Sequence, residues 1–434
     1  MEQNAVKNCF PGYEFKNGKN LYRGTDIGKG GYIISKPGIY TDVALLDVAS
    51  LHPNSIRAMN CFGKYTKNFT DILDARIAIK HKDFETARKM MDGRLSKYLD
   101  DESTAKDLAQ ALKIAINSVY GLTAASFDTP FRDVRNKNNI VALRGALFMR
   151  TLQDEVENRG FTIVAIKTDS IKIANATKEI IDFCMDFAKE YSYTFEHEAT
   201  YDRMCQVNDA DYIAIYKDAE WCEKTYGYIP GDNKGHAGKW TATGAQFQVP
   251  YVFKKIFTKE DIEFKDMCET KSVKTSLHLD MNETLPDVTI EEEVAKLREV
   301  SAKDSSQLRK KDVALLEKFK DVSDDELANI IATGHDYHFV GKIGQFCPIK
   351  DGCGGGLLFR EKDGKYYSAT GAKGYRWLES EMVKELGKED DIDRSYYDKL
   401  VDEAVDTISQ YGDFEWFVSD DEPLDHPPKE PLPW

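Results

Sequence analysis

The sequence predicts a protein of the α+β class, in which antiparallel strands and helices occupy separate stretches of the chain. The stretch VAIKTDSIKI (164–173) places two short apolar runs on either side of a Thr-Asp turn, a pattern typical of a β-hairpin. Residues 66–98 and 103–121 instead space their apolar side chains three and four positions apart, which predicts amphipathic helices. Both kinds of element therefore occur in one chain.

Composition indicates a globular protein with a large core. The chain has 434 residues, 41% hydrophobic and 31% charged, and we expect two to four lobes. No apolar run reaches the roughly 18 residues that span a bilayer, and the start MEQNAVKNCF lacks the order of a signal peptide. These observations predict no membrane partner and a cytoplasmic location. The eight cysteines show no metal-site spacing, so free thiols are expected.

Charge is unevenly distributed along the chain. The net charge of -15 argues against a nucleic-acid partner, because Lys and Arg carry phosphate binding. Residues 57–160, however, contain 18 Lys and Arg against 14 Asp and Glu. An acidic protein with a basic working surface is one interpretation, and a solvated helical face of mixed charge is the other.

The first predicted strand ends in a carboxylate. A Pro-Gly turn precedes VALLDV, a continuous apolar run that is typical of a buried strand, and Asp47 lies near its end. A carboxylate at the end of a buried strand is costly unless it meets a metal ion or a cation. A cap of the following turn is the alternative role for Asp47.

Helices and strands alternate along the rest of the chain. The two helices at 66–98 and 103–121 are expected to lie antiparallel. The further elements, in chain order, are a helix at 136–158, strands at 161–167 and 170–174, a helix at 177–190, strands at 193–198 and 211–216, a charged helical stretch at 289–332, a strand-rich stretch at 338–377 and an acidic, proline-rich tail at 413–434. The tail is expected to be mobile.

Three motifs in this order resemble those of the family B DNA polymerases. They are DVASLHPN (47–54), KIAINSVYG (113–121) and KTDS (167–170). The resemblance covers residues 30–250 and is closest to bacteriophage members, whose location would be the host cytoplasm. It implies a right-hand polymerase: a palm of antiparallel strands with helices behind it, short helical fingers and a mixed α/β thumb. The implied parts are palm at 1–56 and 126–250, fingers at 57–125, thumb with a C-terminal addition at 251–412, and the tail.

The resemblance also implies a function and its site residues. The function is template-directed addition of dNTPs to a primer 3′ end by phosphoryl transfer with two Mg²⁺ ions, or Mn²⁺ in their place. Asp47 and Asp169 would be the catalytic, metal-binding pair, with the Val48 carbonyl as a further ligand. The implied nucleotide-binding residues are Ser50, Leu51, His52, Arg76, Lys80, Lys113, Asn117 and Tyr120. The implied DNA-binding residues are Gly30, Gly31, Gly121, Lys167, Thr168, Tyr212 and Lys239.

Two residues depart from the family pattern. His52 replaces a tyrosine that excludes the ribose 2′-hydroxyl, so we expect weaker rejection of ribonucleotides. Lys167 replaces the first aspartate of the third motif. An ammonium cannot be a metal ligand, so Lys167 is expected to extend toward Asp169 without DNA and toward a primer phosphate with it.

Partners and rival functions are inferred from the same features. The resemblance implies an exonuclease domain ahead of the first motif, but Asp47 lies too close to the start of the sequence to leave room for one, so we expect proofreading to be absent or carried by another chain. The tail is interpreted as a docking peptide for a separate exonuclease, a sliding clamp or a single-strand-binding protein, and a disordered end is the alternative. A catalytically silent polymerase fold that acts as a scaffold or DNA-binding subunit is the main rival, based on Lys167. An enzyme that makes primers or copies RNA is the second rival, based on His52.

Overall fold

The computed structural model describes residues 6, 8–129, 131, 139–217, 240–281, 296–297, 299–303, 307–321, 323 and 337–419. The chain divides into two compact units, one formed by Met1–Gly244 with Ile408–Trp434 and the other by Ala245–Thr407. Across the described ranges, no helix combines the length and the apolar character needed to span a bilayer.

Antiparallel sheets organise the first unit. A small sheet has the order β1-β2-β3, formed by β1 (Glu14–Lys16), β2 (Lys19–Tyr22) and β3 (Thr25–Asp26). The main sheet has seven strands, namely β4 (Ile33–Ser35), β5 (Gly38–Val48), β6 (Thr162–Lys167), β7 (Ser170–Ala174), β8 (Phe195–Gln206), β9 (Tyr212–Tyr216) and β10 (Trp240–Thr243). Their order is β10-β9-β8-β5-β7-β6-β4. The α+β class is thereby confirmed.

The predicted hairpin is present in this sheet, between the central strand β5 and the edge strand β4. β6 and β7 pair with Lys167 opposite Ser170, which leaves Thr168 and Asp169 as the two tip residues. The backbone of Thr168 has a φ of 60°, in the left-handed region that β-branched residues rarely adopt. Strained backbone of this kind is often found at functional sites.

Several helices of the first unit lie between β5 and β8 in the chain. They are α1 (Leu51–Met59), α2 (Thr66–Lys80), α3 (Phe84–Lys89), α4 (Glu102–Thr123), α5 (Ile140–Asn158) and α6 (Lys178–Glu190). Leu46 and Val48 share a buried cluster with residues of α5 and α6. Val43 is buried in a second cluster with Tyr201 of β8. Because β5 is covered on both faces, its sequence is a continuous apolar run.

The helix predicted over 66–98 is shorter in the structure. α2 ends at Lys80, and Lys82 follows with a φ of 59°. The side chain of Asp83 then accepts a hydrogen bond from the backbone N–H of Thr86 and caps α3. The apolar spacing does not reveal this break, because both helices keep their apolar side chains on the side of α4.

The second unit contains a separate antiparallel sheet. Its strands are β11 (Glu269–Asp280), β12 (Tyr337–Ile349), β13 (Leu357–Lys362), β14 (Lys365–Ser368) and β15 (Arg376–Glu379), in the order β14-β13-β11-β12-β15. The strand-rich stretch predicted at 338–377 is confirmed. Its helices include α7 (Ala245–Gln248), α8 (Pro250–Phe253), α9 (Lys310–Lys318), α10 (Ser380–Glu385) and α11 (Arg394–Ser409), the last of which crosses the unit boundary.

The segment predicted as a mobile tail begins as folded structure. Residues Phe414–Val418 form helix α12, in which Phe417 is fully buried. The guanidinium of Arg203 in β8 donates hydrogen bonds to the carbonyl oxygens of Trp416 (2.6 Å) and Ser419 (2.9 Å). The prediction over 413–434 is therefore corrected for its first part. Residues 420–434 lie outside the described residues.

Candidate active site

A cleft of about 600 Å³ opens in the first unit where β5, the β6–β7 hairpin tip, α2 and α4 meet. All of the predicted catalytic and nucleotide-binding residues line it. These lining residues are Asp47, Val48, Ser50, Leu51, His52, Arg76, Lys80, Lys113, Asn117, Tyr120 and Asp169. The three sequence motifs therefore converge on one cavity.

The two aspartates are brought together by the sheet. Asp47 is opposite Ser170 in the β5–β7 register, one residue from the hairpin tip. The backbone N–H of Val48 donates a hydrogen bond of 2.8 Å to the carbonyl oxygen of Asp169. The end of a buried strand and the tip of a hairpin thus present two carboxylates to the same cleft, although they lie far apart in the chain.

The carboxylates destabilise one another's charge. Burial raises the pKa of Asp47 to about 8, with further contributions from the negative charges of Asp169, Glu198 and Glu196. Burial also raises the pKa of Asp169. The pKa of Glu198 is raised by burial too, although Lys80 opposes this effect. The cleft is therefore a desolvated, electronegative pocket that favours a cation.

Glu196 and Glu198 are cleft residues that the sequence motifs do not include. Both belong to β8, and Glu196 is opposite Asp47. Glu196 forms an ion pair with Lys80, and its Oε1 lies 3.3 Å from Nε2 of His81. The alternation in FEHEA (195–199) places the two glutamates on one side of a strand, but the strand register is needed to bring that side to Asp47.

The donor set fits a hard divalent ion that is completed by a substrate. In the part of the chain that the structure describes, no group of three or more His, Cys, Asp or Glu side chains is arranged to hold a metal ion. Mg²⁺ is commonly bound by one or two carboxylates together with substrate phosphates and water. Asp47 and Asp169 supply that number of carboxylates, so the residues present fit the expected ion.

Cationic and polar groups form the facing wall. The half-buried guanidinium of Arg76 donates a hydrogen bond of 3.1 Å to Oγ of Ser50. Ser50 precedes α1 with a φ of 57°, in the left-handed region of backbone conformation. On α4, Lys113 and Asn117 are four residues apart on one face, and both side chains are exposed to the cavity.

Two stacked rings form another part of the cleft. The imidazole of His52 lies parallel to the ring of Tyr120, with centroids 4.4 Å apart and an angle of 11° between the planes. Burial lowers the pKa of His52, although Asp169 opposes the shift. Nδ1 of His52 is buried and has no hydrogen-bond partner among the described residues. His52 and Tyr120 therefore present a flat, uncharged surface in the cleft.

The predicted DNA-binding residues fall in several places. Gly31 packs against the hairpin tip, where an added Cβ would lie 2.3 Å from Oγ1 of Thr168, so a larger residue is excluded. Gly30 is exposed beside it, and Gly121 is exposed on α4 directly after the stacked tyrosine. Tyr212 lies in β9. Lys239 lies outside the described residues.

Lys167 forms no ion pair with Asp169. Among the described residues, no carboxylate lies within ion-pair distance of its ammonium, so its expected extension toward Asp169 stays a prediction. Its side chain is exposed, and its charge instead lowers the pKa of Lys172. The reason is geometric: Asp169 occupies the tip, whereas Lys167 is paired in the ladder between Ile33 and Ser170.

The pKa of Asp47 predicts how stability depends on pH without divalent ions. Its ordinary value is 3.8 and its folded value is about 8, so between these limits the folded protein holds a proton that the unfolded chain has lost. Stability must then fall as pH rises through this window, by on the order of 2 kcal/mol after allowance for screening by water in the cleft. Urea unfolding in EDTA at several pH values measures this. Asp47→Asn should flatten the curve, and an unchanged slope would contradict the assignment.

The sequence is similar to part of one curated polymerase. It is 32% identical over 158 residues to DNA polymerase II of Escherichia coli (strain K12). The aligned region covers 32% of this chain and 19% of the relative. Part of this chain is related to a DNA polymerase. The chain spans about a fifth of the length of this relative.

A solved structure gives a second similarity. The family B DNA polymerase from the hyperthermophilic archaeon Pyrobaculum calidifontis aligns with a TM-score of 0.39 and 12% identity, over 95% of this chain and 50% of that one. No protein-family model matches the chain.

Proposed function

We propose that this chain is a template-directed DNA polymerase of the family B type, which adds dNTPs to a primer 3′ end. One observation carries the proposal: Asp47 and Asp169 enter a single cleft whose other wall holds Arg76, Lys80 and Lys113. Carboxylates suit divalent ions, and cations suit a triphosphate. The sequence similarity to a DNA polymerase supports the same reaction class.

The carboxylate side of the cleft would organise the primer end. Asp47, Asp169 and the Val48 carbonyl would hold two Mg²⁺ ions, or Mn²⁺ in their place. When bound, the ions would favour ionisation of the primer 3′-hydroxyl and neutralise charge on the leaving pyrophosphate. The backbone hydrogen bond between Val48 and Asp169 holds the end of β5 against the hairpin tip and so preorganises Asp47 and Asp169 for ion binding.

The opposite wall would bind and orient the nucleotide. Arg76 and Lys113 would contact triphosphate oxygens, the first held in place by its hydrogen bond to Ser50. Lys80 would exchange its ion pair with Glu196 for a phosphate oxygen. Leu51, Asn117 and the stacked pair His52 and Tyr120 would position the sugar and the base. This chain's contribution is thus positioning and charge neutralisation.

The proposed architecture follows the boundaries predicted from the sequence. The seven-stranded sheet with α5 and α6 would be the palm, α2 to α4 the fingers, and residues 251–412 the thumb with its addition. Primer–template DNA and dNTPs would be the ligands. An exonuclease subunit, sliding clamp or single-strand-binding protein that docks on the last residues stays a prediction.

Primer extension tests the proposed function. A labelled primer on a longer template is incubated with the full chain, four dNTPs and Mg²⁺. We expect extension in the order that the template dictates, loss of extension in EDTA, and no extension by Asp169→Ala. Absence of any extension under all metal conditions, with intact DNA binding, would overturn the enzymatic proposal.

A silent polymerase fold is the second candidate function. It is favoured by Lys167, which stands where the resembling family has an aspartate and which contacts no carboxylate among the described residues. This candidate predicts that the protein binds primer–template DNA and that extension does not occur. The same experiment therefore separates the two candidates.

His52 predicts relaxed sugar selection. A ring of tyrosine size at this position would occupy the space under the sugar that imidazole leaves open, so His52→Tyr should increase the preference for dNTPs over rNTPs. We expect a change of about tenfold or more, since steric discrimination of this kind is worth roughly 1–3 kcal/mol. Ratios of kcat/KM for dATP and ATP measure it. Equal ratios in the two proteins would contradict the prediction.

A further inference from the structure

Two lysines lie on the hairpin that carries Asp169. Lys167 ends β6 and is opposite Ser170, whereas Lys172 lies in β7 opposite Ala165. In an antiparallel pair this register makes the two lysines diagonal neighbours on the same face of the sheet. Consistent with this placement, the charge of Lys167 lowers the pKa of Lys172.

The face that carries both lysines is also the face of Asp47. β5 and β7 pair with Asp47 opposite Ser170 and Leu45 opposite Lys172. Residues that are opposite in a ladder share a face, and so do residues two positions apart in one strand. The lysine pair therefore lies on the same face of the sheet as Asp47, one and two strands away from it.

Lys172 is unusual for a lysine because it is buried. Only 8% of its surface is exposed, and its Nζ lies 3.7 Å from the centre of the Tyr212 ring. Burial, together with Lys167, lowers its pKa to about 7. The ring stabilises the ammonium in part through its π electrons, but an aromatic ring does not replace the water that a lysine loses on burial.

Neither ammonium is neutralised by a carboxylate. Across the described ranges no ion pair or hydrogen bond is formed by the ammonium of Lys167 or Lys172. A nearby acidic residue, Asp209, is instead held by the hydroxyl of Ser35 on β4, at 2.5 Å. By contrast, Lys178 on α6 is exposed and pairs with a carboxylate in its own helix. Lys167 is thus a cation without a carboxylate partner, and an anionic ligand beside it would also favour the charged form of the buried Lys172.

We propose that Lys167 and Lys172, with Tyr212 packed against the second, form a binding site for a phosphodiester group of the primer strand, close behind its 3′ end. The proposal deepens the proposed function and rests on it, because the primer end must lie at Asp47 and Asp169. One phosphodiester anion would bridge both ammonium groups, and lysine binds phosphate as a point charge without strict geometry. A free pyrophosphate is the alternative source of the same chemistry.

The test measures DNA binding by the full chain without catalysis. Fluorescence anisotropy of a labelled primer–template in EDTA is recorded at several KCl concentrations for wild type, Lys167→Met, Lys172→Met, the double variant and the control Lys178→Met. We expect the double variant to bind about 10- to 100-fold more weakly and its slope of log K against log salt to fall by about one, since the single phosphate contact that both lysines share contributes about 0.9. Lys178→Met should match wild type.

Thermal melting separates binding from folding. Methionine keeps the apolar stem that packs on Tyr212 and removes the buried charge, so Lys172→Met should melt at or above the wild-type temperature. A double variant with wild-type affinity and slope would overturn the proposal. So would weaker binding that comes with a lower melting temperature and an unchanged slope, since that marks a packing role.

Pyrophosphate distinguishes the two ligand sources. The primer assignment is wrong if three results occur together. Inorganic pyrophosphate would raise the melting temperature of the wild type, the double variant would lack that increase, and DNA binding would be the same in the wild type and the lysine variants. Wild-type protein that fails to bind primer–template would overturn the proposed function and this inference together. Wild-type binding that the lysine variants leave unchanged would overturn the inference alone.

Discussion

Asp169→Asn and Asp47→Asn are each expected to lower the rate of nucleotide addition by about a thousandfold or more, which corresponds to ~4 kcal/mol of activation free energy. An amide keeps the size of the side chain and removes the charge that would hold a divalent ion. The fold should tolerate either change, because each removes a carboxylate whose pKa burial already raises. Single-turnover primer extension with saturating DNA measures the effect.

DNA binding gives the control for these two variants. Loss of a negative charge in the cleft should leave primer–template affinity unchanged or slightly higher, so reduced extension would not reflect reduced binding. Asp182→Asn, a substitution of the same kind on the exposed face of α6, should extend primers at the wild-type rate. A variant of Asp47 or Asp169 that kept more than about a tenth of the wild-type rate would contradict the assigned roles.

Arg76→Met and Lys113→Met are expected to raise the KM for dNTPs by about 10- to 100-fold each, since a charge-assisted hydrogen bond contributes roughly 1.5–3 kcal/mol. Both side chains line the cleft opposite the carboxylates. Arg76 should show the larger effect, because it is half-buried and oriented by Ser50, whereas Lys113 is exposed. Steady-state extension of one nucleotide over a range of dNTP concentrations gives kcat and KM separately.

A lysine on the same helix provides the matched control. Lys106 lies two turns before Lys113 on the same side of α4, is exposed and does not line the cleft. Lys106→Met should leave the KM for dNTPs unchanged. A KM that stays at the wild-type value in both Arg76→Met and Lys113→Met would place the triphosphate elsewhere.

Much of the candidate site could be predicted from local sequence. An apolar run that ends in Asp47, a two-residue turn at Asp169 and a helix that presents Lys113 and Asn117 are short-range patterns. The motif order supplied the expectation that these elements converge. The structure places them around one cleft, as the hydrogen bond from Val48 to Asp169 illustrates.

Residues whose role depends on register could not be predicted in the same way. Glu196 reaches Asp47 only because β8 pairs with β5, and a shift in that register near Leu45 and Leu46 affects which side chains come next to the cleft. Lys172 occupies a position that simple alternation in SIKIA would leave on an open face. The structure buries it because Tyr212, from a strand that is distant in sequence, packs against it.

The last described residues show a different limit of sequence reasoning. Composition suggested that everything after residue 413 is a mobile tail, since acids and prolines cannot form a core. A single short helix nevertheless folds, because Asp413 caps it, Phe417 is buried and Arg203 binds its last carbonyl groups. The average composition of the whole segment does not reveal the short helix that buries Phe417 and Val418.

Anomalous scattering from Mn²⁺ tests the central claim most directly. Crystals would contain the protein, a primer–template and a non-hydrolysable dNTP analogue. We predict two peaks roughly 3.5–4 Å apart, with oxygen atoms of both Asp47 and Asp169 at about 2.0–2.2 Å from the ions. Ions that bind away from these two carboxylates, or a map without a peak in the cleft, would contradict the account.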